Sequence, residues 1–96
     1  MSQLEVKHRA TQAKGLFYIE DEGKTVASLH YVFAGESRII IDHTEVDATY
    51  GGKGLGARLI EAVVNFAREG TLKIMPLCPY AKKVMERTAE YSDVLF

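Results

Sequence analysis

The sequence predicts one domain of mixed α/β (α+β) class, in which an antiparallel meander is followed by a strand–helix–strand crossover and a second helix. Three observations support this prediction. The first half of the chain alternates apolar and polar residues in short runs, separated by turn-forming residues. The second half changes to the spacing of an amphipathic helix directly after a glycine-rich segment. A length of 96 residues is sufficient for a single core.

Four candidate strands fill the first half of the sequence, and they are Leu4–Ala10, Gly15–Glu20, Thr25–Phe33 and Arg38–Val46. Turn-forming residues at Asp21–Lys24 join the second strand to the third, and Ala34–Ser37 joins the third to the fourth. Because short connections of this kind favour antiparallel neighbours, we expect a meander.

The second half contains two candidate helices with a strand between them. Apolar residues recur at helical spacing over Leu55–Glu69, and Gly70 supplies a helix stop. The apolar segment Thr71–Leu77 is the predicted fifth strand. The second helix is predicted over Pro79–Ala89, with proline at its first position. The residues that follow form either a last short strand or a docking segment.

The strand–helix–strand order requires a crossover, so the fourth and fifth strands are expected to lie side by side and parallel. The glycine-rich segment and Cys78 both follow the carboxyl ends of these two strands. Ligands of α/β sheets bind at that edge. We therefore expect the glycine-rich segment and Cys78 to be neighbours in space.

Composition argues against several classes of partner. The chain has 12 basic and 13 acidic residues and a net charge of −1, so we expect neither nucleic acid nor an anionic membrane surface as a partner. Its longest apolar runs are too short to span a bilayer, and the first residues lack the apolar core of a secretion signal. The single cysteine fits a reducing compartment, so we expect a cytoplasmic protein. Scattered histidines and one cysteine predict no metal site.

Four glycines, Gly51, Gly52, Gly54 and Gly56, lie between the predicted fourth strand and first helix, and we call the segment Gly51–Gly56 the glycine loop. A helix start carries unpaired backbone N–H groups and a partial positive charge. Glycines let an anion approach that backbone closely. The glycine loop is therefore a candidate phosphate site, and the alternative is a glycine-rich turn without a ligand.

Two common phosphate-binding motifs do not match the glycine loop. A P-loop requires a lysine and a hydroxyl residue after its last glycine, but Ala57 and Arg58 follow Gly56. A dinucleotide fingerprint that starts at Gly54 requires a third glycine at the position of Leu59. The spacing therefore argues against nucleoside triphosphates and dinucleotides.

The segment VDATYGGKGLGARL resembles the acetyl-coenzyme A signature of the GNAT acetyltransferases. Val46, the run from Gly52 to Gly56, and Leu59 match that signature. Ala48 replaces its usual proline, and Gly51 replaces its usual arginine or glutamine. The resemblance implies that backbone amides of the glycine loop hold the pyrophosphate of the coenzyme.

The chain from Leu16 onward is similar to a subfamily of very small, single-domain GNAT-like proteins, which bind acetyl-coenzyme A and have a cysteine near the acetyl group. The resemblance implies acetyl-coenzyme A or coenzyme A as cosubstrate, without a metal. It also implies a set of cofactor-binding residues, which are Glu45, Val46, Gly51, Gly52, Lys53, Gly54, Leu55, Gly56, Ala57 and Ala81.

Cys78 is the first candidate catalytic residue. It precedes Pro79 at a helix start, where the helix dipole and Lys82 or Lys83 would lower the pKa of the thiol. A thiolate beside a bound thioester can accept the acetyl group. The alternative is a small buried apolar residue at the end of a strand.

His43 is the second candidate catalytic residue. By strand alternation it shares a face with Ile41 and Glu45, whereas Asp42 and Thr44 point to the other face. On that face His43 would act as general base for an amine, or would orient the candidate thiol. The alternative is a structural histidine.

Larger GNAT members have two helices between their first two strands, and these helices help to form the acceptor pocket. Only Thr11–Lys14 separates the two strands here, and Met85 lies about where the family has a tyrosine acid. One hypothesis is acetyl transfer to an unknown amine or other small nucleophile, with the missing wall absent or supplied by a protein partner. The other is a non-catalytic module that binds acetyl-coenzyme A as a sensor or carrier.

Overall fold

The structure is a computed structural model that describes residues 4–96. Its strands and helices follow in the chain as β1 (Val6–Ala10), β2 (Lys14–Asp21), β3 (Lys24–Phe33), β4 (Arg38–Val46), α1 (Leu55–Gly70), β5 (Lys73–Pro76) and α2 (Pro79–Arg87). The strands form one sheet in the order β1-β2-β3-β4-β5. Strands β1 to β4 pair antiparallel, and β4 pairs with β5 in parallel. The predicted meander and the predicted crossover through α1 are both confirmed.

The ends of several elements differ from the prediction. β1 starts at Val6 rather than Leu4, and α2 ends at Arg87 rather than Ala89. β5 is shorter at both ends than the predicted strand Thr71–Leu77. Propensity locates an element better than it locates the terminal residues, where tertiary contacts decide how far the pairing extends.

α1 extends one residue beyond the predicted last residue, Glu69, and includes the predicted stop. Gly70 is its last helical residue, and Thr71 takes a left-handed conformation with φ of 56°. The Thr71 N–H donates to the carbonyls of Ala67 and Arg68. A left-handed residue closes a helix by satisfying its last carbonyls. Here Thr71 closes the helix, although the sequence predicted that Gly70 would do so.

Both helices pack on the same face of the sheet. The buried cluster between the sheet and the helices includes Leu29, Ile39, Ile41, Ala81 and Met85. Burying an aliphatic side chain of this size contributes about 1.5–3 kcal/mol. Among the described residues no helix packs on the other face of the sheet, which we call the open face. Residues 11–13 alone connect β1 to β2, so the predicted absence of two helices there is confirmed.

The last residues of the chain dock on the free edge of β5. Leu95 forms an isolated parallel bridge with Ile74, whose N–H and C=O bond to Val94 and Phe96 at 2.6 and 2.8 Å. This segment is therefore a docked tail with one bridge rather than a full strand. Within the described part of the chain, neither helix combines the length and the apolar character needed to cross a membrane.

Candidate functional site

β4 and β5 separate at their carboxyl ends. Their pairing stops at Ile41 opposite Pro76, although β4 continues to Val46. The backbone N–H groups of Leu77 and Cys78 both donate to the Ile41 carbonyl, at 3.0 and 3.1 Å, and the chain then turns into α2. We call the space beside β4 beyond Ile41 the gap. It lies at the sheet edge where ligands of α/β proteins bind.

A β-bulge in β4 decides which side chains face the helices. Tyr31 pairs with Ile41, but the next residue of β3, His30, pairs with His43, so Asp42 is an extra residue. An extra residue reverses the alternation of the strand beyond it. The prediction that His43 shares the face of Ile41 is therefore wrong, and so is the prediction that Thr44 points away from that face.

His43 lies on the open face. Its Nε2 atom is 2.7 Å from Oε1 of Glu45, and its ring is 5.8 Å from the ring of His30, measured between centroids. The hydrogen bond to His43 and then its charge lower the pKa of the Glu45 carboxyl. Cys78 is buried with the core on the helix face, so His43 does not orient the thiol. A histidine held by a carboxylate is nonetheless a suitable general base for a nucleophile that approaches from the open face.

Cys78 lies at the N-cap position of α2 and is 8% exposed. Burial raises the pKa of its thiol, but hydrogen-bond donors around the sulfur lower the pKa by more, and the net shift is downward. These donors are the Thr44 hydroxyl and the backbone N–H groups of Ala81, Tyr80 and Thr44. The donors, rather than the charges on the nearby lysines, account for the shift, which corrects the role suggested for Lys82 and Lys83.

The glycine loop presents free backbone donors at the start of α1. Gly52 and Gly54 adopt left-handed conformations, with φ of 81° and 74°, and Gly54 is the N-cap residue of α1. Two N–H groups of the loop already have backbone acceptors just before it: Gly51 donates to the carbonyl of Ala48, and Lys53 donates to the carbonyl of Tyr50. Within residues 51–57, the other N–H groups, those of Gly52, Gly54, Leu55, Gly56 and Ala57, have no backbone acceptor among the described residues. They are the donors that an anion requires.

A cavity of about 520 Å³ joins the glycine loop to the gap. It is lined by Thr44, Val46, Tyr50, Gly51, Gly52, Gly54, Leu55, Gly56 and Tyr80. Thus six of the predicted cofactor residues meet at one cavity. The other four predicted cofactor residues do not line the cavity. Three of them are exposed, namely Glu45, Lys53 and Ala57, and the fourth, Ala81, is fully buried.

Three cavity residues, Thr44, Tyr50 and Tyr80, were not among the predicted site residues. Tyr50 directly precedes the glycine loop, and its hydroxyl donates to Asp21 Oδ2 at 2.5 Å. The sequence signal that could have identified these two tyrosines is their position: Tyr50 directly precedes the glycine loop, and Tyr80 lies two residues after Cys78. Thr44 had no signal, because the bulge that turns it inward follows from strand pairing.

These features first define a class, namely a small α+β domain in which two parallel strands separate beside a glycine loop at a helix N-terminus. The sequence profile of the GCN5-related N-acetyl-transferases matches residues 16–94. The chain belongs to that family, as its resemblance to the GNAT acetyltransferases predicted.

Comparison with known proteins agrees with this assignment. Human Protein NATD1 is 33% identical over 60 residues, which are 62% of this chain and 53% of NATD1, so the match spans about half the length of that curated relative. A GCN5-like protein of Staphylococcus aureus, solved in solution by NMR, is 41% identical with a TM-score of 0.79, over 100% of this chain and 91% of that chain. The aminoglycoside N-acetyltransferase AAC(6')-Iy in complex with CoA shares the fold, with a TM-score of 0.61 at 14% identity over 90% and 75% of the two chains.

Proposed function

We propose that this protein binds acetyl-coenzyme A, with the pyrophosphate on the glycine loop and the thioester in the gap beside Cys78. The observation that carries the proposal is the single cavity that extends from the free N–H groups of the loop to Thr44. Free amides and the dipole at a helix N-terminus favour a phosphate group. The family and the coenzyme A complex of the aminoglycoside enzyme on the same fold support the proposal.

The proposed activity is transfer of the acetyl group to an amine or another small nucleophile by way of Cys78. The Cys78 thiolate attacks the thioester carbon, so a bond to Sγ forms, the bond to the coenzyme sulfur breaks, and the coenzyme thiolate takes up a proton. An amine then attacks the carbonyl carbon of the acetyl group on Cys78, so a bond from nitrogen to carbon forms, the bond to Sγ breaks and restores the Cys78 thiolate, and the amine loses a proton. A backbone N–H of β4 near Val46 would polarise the thioester carbonyl during both attacks.

His43 and Glu45 support a direct route to the same products. Their side chains form a hydrogen-bonded pair on the open face, on the opposite side of the sheet from Cys78. An amine that enters from the open face would lose its proton to His43 while it attacks the thioester in the gap. Because of the bulge, the side chains that the two candidate routes would use lie on opposite faces of the sheet.

One observation favours the second candidate function, a non-catalytic module that binds acetyl-coenzyme A. Only residues 11–13 join β1 to β2, so the chain lacks the helices that form the acceptor wall in larger family members. A protein partner that supplies this wall would restore transfer, and without such a partner the domain would act as a sensor or carrier.

Intact-mass spectrometry after incubation with acetyl-coenzyme A distinguishes these functions. An adduct of about 42 Da on the wild type that is absent from Cys78→Ala supports the covalent route. Turnover of an amine panel that survives Cys78→Ala and is lost in His43→Gln supports the direct route. Tight binding with neither adduct nor turnover supports the non-catalytic module.

Binding itself is tested at Gly54, with Gly23 as a matched control. Both glycines have left-handed φ values, 74° and 79°, and open space around the position of a Cβ, but Gly23 lies in the turn between β2 and β3. Valine at either position strains the backbone equally. We expect Gly54→Val to abolish coenzyme A binding and Gly23→Val to retain it. A wild type that does not bind coenzyme A would overturn the proposed function.

A further inference from the structure

The Thr44 hydroxyl is buried without a full hydrogen bond. Among residues 4–96 it is the only buried side-chain nitrogen or oxygen that has no hydrogen-bond partner. It approaches the Cys78 sulfur closely enough to lower the pKa of the thiol, yet it does not reach the geometry of a complete bond. Leaving a buried hydroxyl unsatisfied is costly, so this atom requires an explanation.

The bulge at Asp42 aims Thr44 at the thiol. Thr44 pairs with the fully buried Leu29 and lines the cavity that leads to the glycine loop. Without the extra residue, His43 would occupy this face instead. The strand therefore departs from regular pairing and places a hydroxyl where alternation would place an imidazole.

The strand itself does not need the hydroxyl. Valine has the same branched shape as threonine and suits a strand equally well, and it would leave no unsatisfied polar atom on a face whose other members are apolar. The hydroxyl gains a strong acceptor only when the Cys78 sulfur is negatively charged, because hydrogen bonds to an ionised group are about twice as strong as neutral ones.

We propose that Thr44 is the positioning residue of the Cys78 nucleophile: its hydroxyl donates to the thiolate and, with the N–H groups of Tyr80 and Ala81, holds the sulfur toward the thioester. This proposal rests on the proposed function, in which Cys78 carries the acetyl group. The bond is made to the thiolate and lost when Cys78 is acetylated, since a thioester sulfur is a poor acceptor. Thr44 therefore also favours release of the acetyl group to an amine, the step that restores the thiolate.

The test measures the pH dependence of Cys78 alkylation by iodoacetamide in the free protein, because only the thiolate reacts. We expect Thr44→Val to raise the apparent pKa of the thiol and to slow alkylation at pH 7 by about tenfold. Thr44→Ser, which keeps the hydroxyl, should restore most of the rate. Thr25→Val changes an exposed threonine of β3 that does not line the cavity, and it should leave the profile unchanged.

Two outcomes would overturn the proposal. One is a Thr44→Val profile that superimposes on that of the wild type while the circular dichroism spectrum shows an intact fold. The other is a Thr44→Ser profile that matches Thr44→Val, which would assign the effect to packing. No acetyl-coenzyme A is present in this measurement, so its result is independent of the acetylation experiment. The expected shift in Thr44→Val, together with no acetyl adduct on the wild type, would refute the covalent route through Cys78 and leave the thiolate contact established.

Discussion

The phenol ring of Tyr80 lies against the backbone of Gly56. A Cβ atom on Gly56 would stand 2.5 Å from the Tyr80 hydroxyl oxygen and 2.8 Å from Cζ. The contact joins the first turn of α2 to the first turn of α1, and both residues line the cavity between the glycine loop and the gap. Gly56 thus leaves room both for an aromatic ring and for a ligand on the helix N-terminus.

Gly56→Ala should weaken coenzyme A binding without unfolding the protein. Alanine is the better helix former by about 0.5–1 kcal/mol, and Tyr80 is 41% exposed, so its ring can turn away from the new methyl group. The methyl group and the displaced ring then obstruct the approach to the helix N-terminus, and we expect an affinity roughly tenfold lower. Calorimetric titration and a thermal melt measure the two effects separately.

Gly70→Ala is the matched control for that substitution. Gly70 is the last residue of the same helix, where a Cβ would meet only the Leu72 side chain, at 3.3 Å from Cδ1. It should change stability by a similar small amount and leave coenzyme A binding unaltered. Equal affinities for Gly56→Ala and the wild type would show that the ligand does not approach α1 at Gly56.

Gly15→Ala should destabilise the fold. Tyr31 is fully buried, and a Cβ on Gly15 would lie 2.2 Å from its Cζ and hydroxyl atoms. The ring cannot easily move, because its hydroxyl is held at 2.7 Å from His8 Nε2. Overpacking of this kind costs about 1–3 kcal/mol, which urea denaturation would measure. In a Tyr31→Leu background, Gly15→Ala should cost less stability than in the wild type, because the ring that it would meet is absent. An equal cost of Gly15→Ala in the two backgrounds would contradict the assigned clash.

The ion pair between Arg68 and Asp93 predicts a pH dependence of stability. Arg68 Nε and Nη2 donate to the two Asp93 carboxylate oxygens at 3.0 and 2.9 Å, and this bond lowers the pKa of Asp93. Because the folded pKa lies below the unfolded value, the contribution is complete above the usual aspartate range and is lost as pH falls through the folded pKa. Both side chains are substantially exposed, so the effect is modest and screened by salt.

Arg68→Gln should therefore lower the melting temperature at pH 7 and have a much smaller effect below about pH 3. The pair anchors the docked tail, so the tail should also exchange its amide hydrogens faster in this variant. A difference in melting temperature that stays constant across this pH range would contradict a role for the Asp93 charge.

The sequence predicted most of the fold because its signals are local. Alternation and turn residues gave the meander, and helical spacing over Leu55–Glu69 gave α1. The crossover rule then placed the glycine loop and Cys78 at one edge of the sheet, and the cavity that leads from the loop to Thr44 agrees with that expectation. Each of these inferences needs only neighbours in the chain, or one general rule of chain topology.

Only the tertiary structure decided which side chains meet in the gap. Simple alternation put His43 on the inner face and Thr44 on the outer one, and the bulge at Asp42 reversed both. A bulge depends on how β4 pairs with β3, which no run of residues in β4 reveals by itself. The sequence by itself therefore determined the family, the glycine loop and the nucleophile candidate, whereas the register of two paired strands decided that Thr44, rather than His43, faces Cys78.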